Sequence, residues 1–435
     1  MTNDAAETIP TGPDETEPEA RAAAQRPHWL RDIVVFLTSQ TITLFGSMLV
    51  QYAIMWHLTL TTKSGVVLAL AALFGFLPQA IVSVFGGVWA DRLNRKVLII
   101  AADATIAATT LVLALIMLGG VEPLWLIYLT LAIRSAGAGI QMPAVAAMLP
   151  QIVPAQHLMR VNGINGSIQS GMMLLAPAVA GAVYAFASIV AIFFIDVVTA
   201  VIGIVVLATI AVPTIRKSVE TGYFADLVEG VRYTFTHAFV RWLLILFAIV
   251  FLLTVAPSYL TPLMAARTYG GDVWVLTVLE ISFSIGMLVG GVVIGVWGGP
   301  KNKVAMIAVA SLVFGVLSIA MGFSPNVWVF FALMLLIGLA VPFFSTPSMT
   351  LLQLRVEPEK QGRVFGFVGI VMAVAMPIGM VIFGPLADQI PVETILVAAG
   401  VLTFVVVGIA LLVPDGRRAL RDGRAELPEE QAPAS

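Results

Sequence analysis

Three ionisable side chains fall inside segments that are otherwise apolar: Arg134, Asp196 and Glu280. A charge at that depth in a membrane is costly and ordinarily faces a bundle interior or a water-filled cavity, so each marks a functional candidate. Arg134 lies near the middle of its segment, and its plain alternative is a structural role, bonded to backbone carbonyls and a polar neighbour. Asp196 and Glu280 each lie about seven residues from the end of a segment. Carboxylates in that setting suit reversible protonation or the binding of a cationic substrate; they can also snorkel to the nearby surface. Gln40, Gln51, Tyr52 and Gln79, with Asn162, Asn165 and Gln169, are candidates to line a cavity. The last three fall at i, i+3 and i+7, one helix face. Interhelical hydrogen bonding would explain them equally well.

Other chemistry is not supported. Cysteine is absent and no two of the four histidines have metal-ligand spacing, so no metal is expected. No phosphate-binding loop is present, which argues against an ATP-driven pump. No nucleophile–base pair can be assembled, so no enzyme, cofactor or nucleic-acid partner is expected.

The elements that must position these residues follow from composition. The 435 residues are 59% hydrophobic and 11% charged, against about a quarter charged in soluble domains. Twelve apolar segments of bilayer-spanning length are predicted at 31–56, 65–90, 97–119, 124–145, 160–183, 189–211, 241–265, 273–297, 303–322, 327–350, 363–387 and 391–413. The chain is thus an all-α polytopic membrane protein surrounded by lipid. Residues 1–29 read as a disordered cytoplasmic tail, 30–211 and 241–413 as two six-helix bundles, 212–240 as a cytoplasmic linker with an amphipathic helix, and 414–435 as a second tail. Of the 23 Lys and Arg, 20 lie on the side of the termini and of the even-to-odd turns. That bias places both termini in the cytoplasm.

The densest charge is the turn Gly86-Gly87-Val88-Trp89-Ala90-Asp91-Arg92-Leu93-Asn94-Arg95-Lys96, with a weaker copy at Gly298-Gly299-Pro300-Lys301-Asn302-Lys303. Pro143 and Pro154 in the first half match Pro347 and Pro358 in the second, 11 residues apart in both. Such echoes indicate two parallel repeats, as transporters commonly show. Gly163, Gly171 and Gly181 are expected to permit close helix contact, and Pro177, Pro257 and Pro347 to mark kinks.

Gly87-x-x-x-Asp91-Arg92-x-Asn94-Arg95-Lys96 resembles the loop 2–3 signature of the major facilitator superfamily, with Asn94 where Gly is usual. Arg134 with Gly137 and Gly139 is similar to its second signature, and Gly171 through Ala176-Pro177 to Gly181 to the exporter branch's stretch, with Ala176 where Gly is usual. Residues 30–413 as a whole resemble the twelve-span drug-exporter group that includes macrolide efflux and enterobactin export proteins. The resemblance implies the major facilitator fold: twelve helices in two pseudo-symmetric six-helix bundles, monomeric, around a cavity open alternately to each side. It implies proton-driven export of a small amphipathic or hydrophobic substrate across a bacterial plasma membrane. It also implies a gating latch of Gly87, Asp91, Arg92 and Arg95, in which Asp91 caps the eleventh span while the cavity faces outward; Asp103 is expected to join it by pairing with Arg92 or Arg95. Arg134 would take part in proton coupling. Asn94 would tolerate a left-handed turn in place of Gly. Remaining alternatives are a dedicated exporter of a siderophore or bile-salt-like anion, a passive channel, and a membrane sensor or scaffold.

Overall fold

Long apolar runs interrupted by short polar turns leave the backbone one way to satisfy its hydrogen bonds in lipid, which is helix. The computed structural model describes residues 28–212, 232 and 234–422, apart from the side chains at 91, 257, 358, 359, 362, 363, 366, 367, 370 and 422. The spanning elements of the first half are α1 (Trp29–Thr62), α2 (Gly65–Arg92), α3 (Arg95–Leu118), α4 (Leu124–Ile152), α5 (Ala155–Phe186) and α6 (Ile189–Ala208). The second half runs α7 (Ala238–Tyr259), α8 (Thr261–Thr268), α9 (Val273–Trp297), α10 (Lys303–Gly322), α11 (Val327–Arg355), α12 (Pro358–Ala387) and α13 (Val392–Leu412), followed by α14 (Pro414–Asp422). Eleven spans among the described residues, with α7 and α8 counting as one, are long and apolar enough to cross a membrane, and α12 carries the apolar stretch Val371–Ala387 that completes twelve. The linker helix expected within 212–240 falls largely outside the described residues.

The seventh span departs from the single predicted helix: Leu260 divides α7 from α8, and Pro262 sits at the start of α8. Proline is pre-organised for the first helical turn and needs no amide partner there.

The two halves repeat one packing scheme. In each, the second span packs on the fourth, the third on the sixth, and the first on the sixth. Small residues set the distance at equivalent places. A Cβ on Gly86 would lie 2.4 Å from the Gly139 carbonyl, and one on Gly290 would lie 2.4 Å from that of Leu339. Helix association in lipid depends on such close backbone approach, because apolar burial offers no gain over lipid tails. The equivalence reaches single residues. Asn94 caps α3 by accepting from Val97 N, and Asn302 caps α10 by accepting from Ala305 N. Asn94 has φ −69° and ψ 113°. The turn is therefore not left-handed: Asn94 is extended and its side chain serves as a cap.

The halves meet through α2 against α12 and α5 against α9. A Cβ on Gly65 would lie 2.1 Å from the Gly384 carbonyl, and one on Gly181 2.0 Å from Thr277 Oγ1. Both approaches lie on the side away from the basic turns, here called the outer face. Among the described residues, hydrogen bonds between the halves occur at this face and, at mid-depth, from Ser284 Oγ to the Met173 carbonyl. Toward the basic face Asn162 and Gln169 are exposed, and a Cβ on Gly163, Gly166 or Gly171 would meet nothing. Gly181 thus allows close contact as expected, whereas Gly163 and Gly171 do not in this conformation. Pro177 and Pro347 lie buried inside α5 and α11. Pro257 lies within α7, and its side chain is outside the described set.

Candidate functional site

Between the halves lies a cavity of about 530 Å³, bounded by α1, α2 and α5 on one side and α7 to α12 on the other. Methionine and aromatic side chains dominate its wall: Met48, Met55, Tyr52 and Trp56 from α1, Phe247, Phe251 and Tyr259 from α7, Phe344 from α11, and Met372 and Met376 from α12. Phe76 of α2 meets Tyr259 of α7 edge-on, with ring centroids 6.4 Å apart. Such a lining is adaptable, since methionine is flexible and polarizable and aromatic faces attract cations. Among the described lining residues Glu280 is the one carboxylate, and none is Lys, Arg or His. Gln51 and Tyr52 line the cavity as expected. Gln40 does not, and its Nε2 is buried without a hydrogen-bond partner. Gln79 lies against α4, with its backbone amide donating to Ser135 Oγ at 2.9 Å and its side-chain Nε2 donating to Met142 Sδ at 3.0 Å. Asn162, Asn165 and Gln169 lie on α5 outside this cavity. A second cavity, about 720 Å³ between α1 and α5, belongs to the first half alone and carries no acid.

Asp196 does not snorkel. Its Oδ2 lies 2.5 Å from Arg134 Nη1, with the two side chains 1% and 8% exposed. Arg134 also donates to Thr110 Oγ1 and, at 3.4 Å, to the Ser47 carbonyl. Gly46 lets α1 close over the pair: a Cβ there would lie 2.0 Å from Thr199 Oγ1 and 3.0 Å from Asp196 Oδ1. Arg134 thus has the carbonyl bond of a structural arginine together with an ion pair to the second candidate acid. Removing one partner from a buried pair strands the other charge. Arg134→Ala is therefore expected to lower stability in detergent by about 3–5 kcal/mol. Arg134→Leu combined with Asp196→Leu should recover most of that loss. Thermal unfolding of the three proteins checks this, and equal losses in single and double variants would refute it.

Asp103 receives its hydrogen bond from Gln141 Nε2 at 2.5 Å. The expected pairing with Arg92 or Arg95 does not form. Arg95 is buried and donates to the Ala90 and Ala147 carbonyls at 2.9 and 2.8 Å, tying the ends of α2, α3 and α4 together. Lys96 Nζ similarly donates to the Ala208 and Ile210 carbonyls. The side chain of Asp91 lies outside the described residues, Arg92 is exposed, and a Cβ on Gly87 would meet nothing within 4 Å.

The best-defined connection between the halves was not anticipated. Asp388, just past the end of α12, accepts from the Gly65 amide at 2.7 Å, the Val66 amide at 3.0 Å and Ser64 Oγ at 2.8 Å. These are the free donors at the N-terminus of α2, where a carboxylate is favoured by both hydrogen bonding and the helix dipole. Arg267, at the end of α8, holds the same carboxylate at 2.8 Å and donates to the Lys63 carbonyl. Lys63 closes α1 at φ 48°, the only non-glycine residue with positive φ among those described. Burial alone would push the Asp388 carboxyl up; the bonds from Val66, Gly65, Ser64 and Arg267 outweigh it and hold the group below the usual carboxylate range. The sequence carried a signal for this clasp: Lys63 and Arg267 are the two basic residues placed on the outer face.

Comparison with known proteins agrees with this architecture. Residues 30–432 match the family described as transmembrane secretion effector. Macrolide efflux protein A of Streptococcus pyogenes is 31% identical over 392 residues, covering 89% of this chain and 96% of that protein. The staphyloferrin A transporter of Staphylococcus aureus is 20% identical over 383 residues, 87% and 93% of the two chains. Among solved structures, a bacterial homologue of the human lysosomal transporter Spinster, inward-facing and unoccupied, superposes with a TM-score of 0.69 at 13% identity, covering 94% of this chain and 100% of that one. With twelve spans in two matching halves around a shared cavity, the chain belongs to the transmembrane secretion effector family of the major facilitator superfamily and is a multi-pass membrane transporter of the efflux type.

Proposed function

We propose that the protein is a proton-coupled antiporter that exports hydrophobic or amphipathic compounds, cationic ones among them, by alternating access. The observation that carries this reading is Glu280, the single acid among the described residues of the methionine- and aromatic-rich wall between two halves that must separate to release a ligand. A carboxylate in that position serves either a proton or a cationic substrate, and alternation between the two is what antiport requires. A dedicated exporter of an anionic metabolite fits this wall less well, because no basic side chain is found among the described lining residues. The excess of Lys and Arg on the face of the termini supports a cytoplasmic location for both, in a bacterial plasma membrane. In that orientation the structure is closed to the outside by the Asp388 clasp and parted toward the cytoplasm. The latch proposed for Asp91 and Arg92 belongs to the opposite conformation.

The direct test is transport by the purified protein in proteoliposomes under an imposed proton gradient, with a cationic dye, a macrolide and an anionic amphiphile. Gradient-dependent movement of the first two, and little of the third, is expected. Transport indifferent to the gradient for all three would reject antiport.

A further inference from the structure

The first half holds a second acid that the ion pair does not neutralise. Asp103 on α3 meets Gln141 on α4, and seven residues further along α3 Thr110 meets Arg134, seven residues back along α4. Because seven residues are close to two helical turns, the two contacts stack as rungs of one antiparallel ladder. The outer rung takes in Asp196 through Arg134. Along this ladder stand two carboxylates and one guanidinium, and the guanidinium is already committed to Asp196.

Asp103 is 4% exposed. Its Oδ1 accepts from Gln141, while Oδ2 is buried with no hydrogen-bond partner. The other charged groups on elements packed against α3 are placed otherwise. Arg95 and Lys96, on α3 itself, bond backbone carbonyls, and Arg92 is exposed at the end of α2. A carboxylate anion with one neutral donor and a bare second oxygen in a low-dielectric interior is strongly disfavoured, whereas the neutral acid requires no cation.

We propose that Asp103 is the proton-binding site of the first half, holding its proton on Oδ2 while the halves are parted toward the basic face. The acid stands eight residues into α3 from Arg95, or about 12 Å along the helix, so its exchange is with the basic side. Gln141 fixes the orientation of the carboxyl group, and Arg134, tied to Asp196, sets how much negative charge the ladder can hold. Asp103 is not on the cavity wall, so proton and substrate occupy different sites in the first half. The part this proton plays in transport rests on the antiport reading; its presence on Asp103 does not.

The experiment compares wild type, Asp103→Asn and Gln141→Leu by infrared spectroscopy in H2O and D2O, and by proton-driven dye export in proteoliposomes. The wild-type spectrum should contain a protonated-carboxyl band that Asp103→Asn lacks and that Gln141→Leu retains at a displaced frequency. Proton-gradient stimulation of export should fall by about tenfold or more in Asp103→Asn, with dye affinity in detergent changed by less than about threefold. Wild-type and Asp103→Asn spectra that coincide in the carboxyl region would overturn the proposal, as would full gradient stimulation in Asp103→Asn. Should Asp103→Asn fold poorly, the Gln141→Leu spectrum still decides: a band that does not move contradicts the assignment. If wild type shows no gradient dependence at all, antiport fails, while the infrared comparison continues to judge Asp103.

Discussion

Glu280→Gln should reduce proton-driven export of a cationic amphiphile by about 30-fold or more, the loss expected when one partner of a desolvated charge pair is removed, about 2 kcal/mol. The substitution keeps the size of the side chain and removes only its charge and its ability to exchange a proton. Since Glu280 is the single acid among the described residues of the cavity wall, no other carboxylate described there can replace it as counter-ion. Binding of a neutral amphiphile rests on the methionine and aromatic lining, so its affinity should change by less than about threefold. Measuring dye affinity by fluorescence polarisation and export in proteoliposomes separates the two roles. Unaltered export of the cation by folded Glu280→Gln would remove Glu280 from the mechanism, leaving the cavity as a purely apolar site.

A comparable effect, on conformation in place of affinity, is expected at the outer clasp. Asp388→Ala deprives the first turn of α2 of two amide acceptors and Arg267 of its carboxylate. Loss of a helix-capping group costs about 1–2 kcal/mol, so the closed-to-open ratio at the outer face should fall by about 5- to 30-fold. The chain contains no cysteine. Spin labels on Val121→Cys and Phe323→Cys, both exposed near the outer ends of opposite halves, would therefore report this distance without background. A rise in the long-distance population in Asp388→Ala is expected, and an unchanged distribution would deny the clasp any energetic part. Its pH dependence has a defined sign. The carboxyl is held below its ordinary value, so its contribution is present at neutral pH and is lost only as pH falls through that lowered value. Mild acidification should not open the outer face. Salt should weaken the clasp, because the Arg267–Asp388 pair is partly exposed.

Much of the architecture was legible in the chain. Apolar runs of bilayer length, the skew of Lys and Arg and the echoed turns at Asn94 and Asn302 indicated twelve spans in two halves, because those signals are local. Gln51 and Tyr52 stood out as cavity candidates, and Glu280 as a coupling candidate, by being polar within apolar runs, and all three line the cavity. The same criterion could not separate Gln79, which faces α4, since polarity does not report the direction a helix turns its side chain. The pairing of Arg134 with Asp196 was hidden for a related reason. Its partners lie on α4 and α6, and only the stacking of α3 between them sets the register. Asp388 escaped notice because topology is read from basic residues and acids contribute little to it. Asp103 was drawn to the nearest cations in sequence, Arg92 and Arg95, when its neighbour in space was an amide on the next helix.

The clasp has a consequence for the energy landscape of the transport cycle. α2 and α12 run antiparallel, and the register that sets Gly65 against Gly384, extended along both helices, brings Asp91 opposite Pro358, where α12 begins. Each helix of the pair then carries an acidic residue at its C-terminal end: Asp388 bonds the first turn of α2, and Asp91 holds the corresponding chain position on α2. With Asp91 in its proposed role, releasing one end of this rocker frees a helix terminus that the other end covers in exchange. In that arrangement the clasp gained offsets part of the clasp lost, which narrows the free-energy gap between the two resting states. A narrower gap needs a smaller bias to tip, and one bound proton or one cation supplies such a bias.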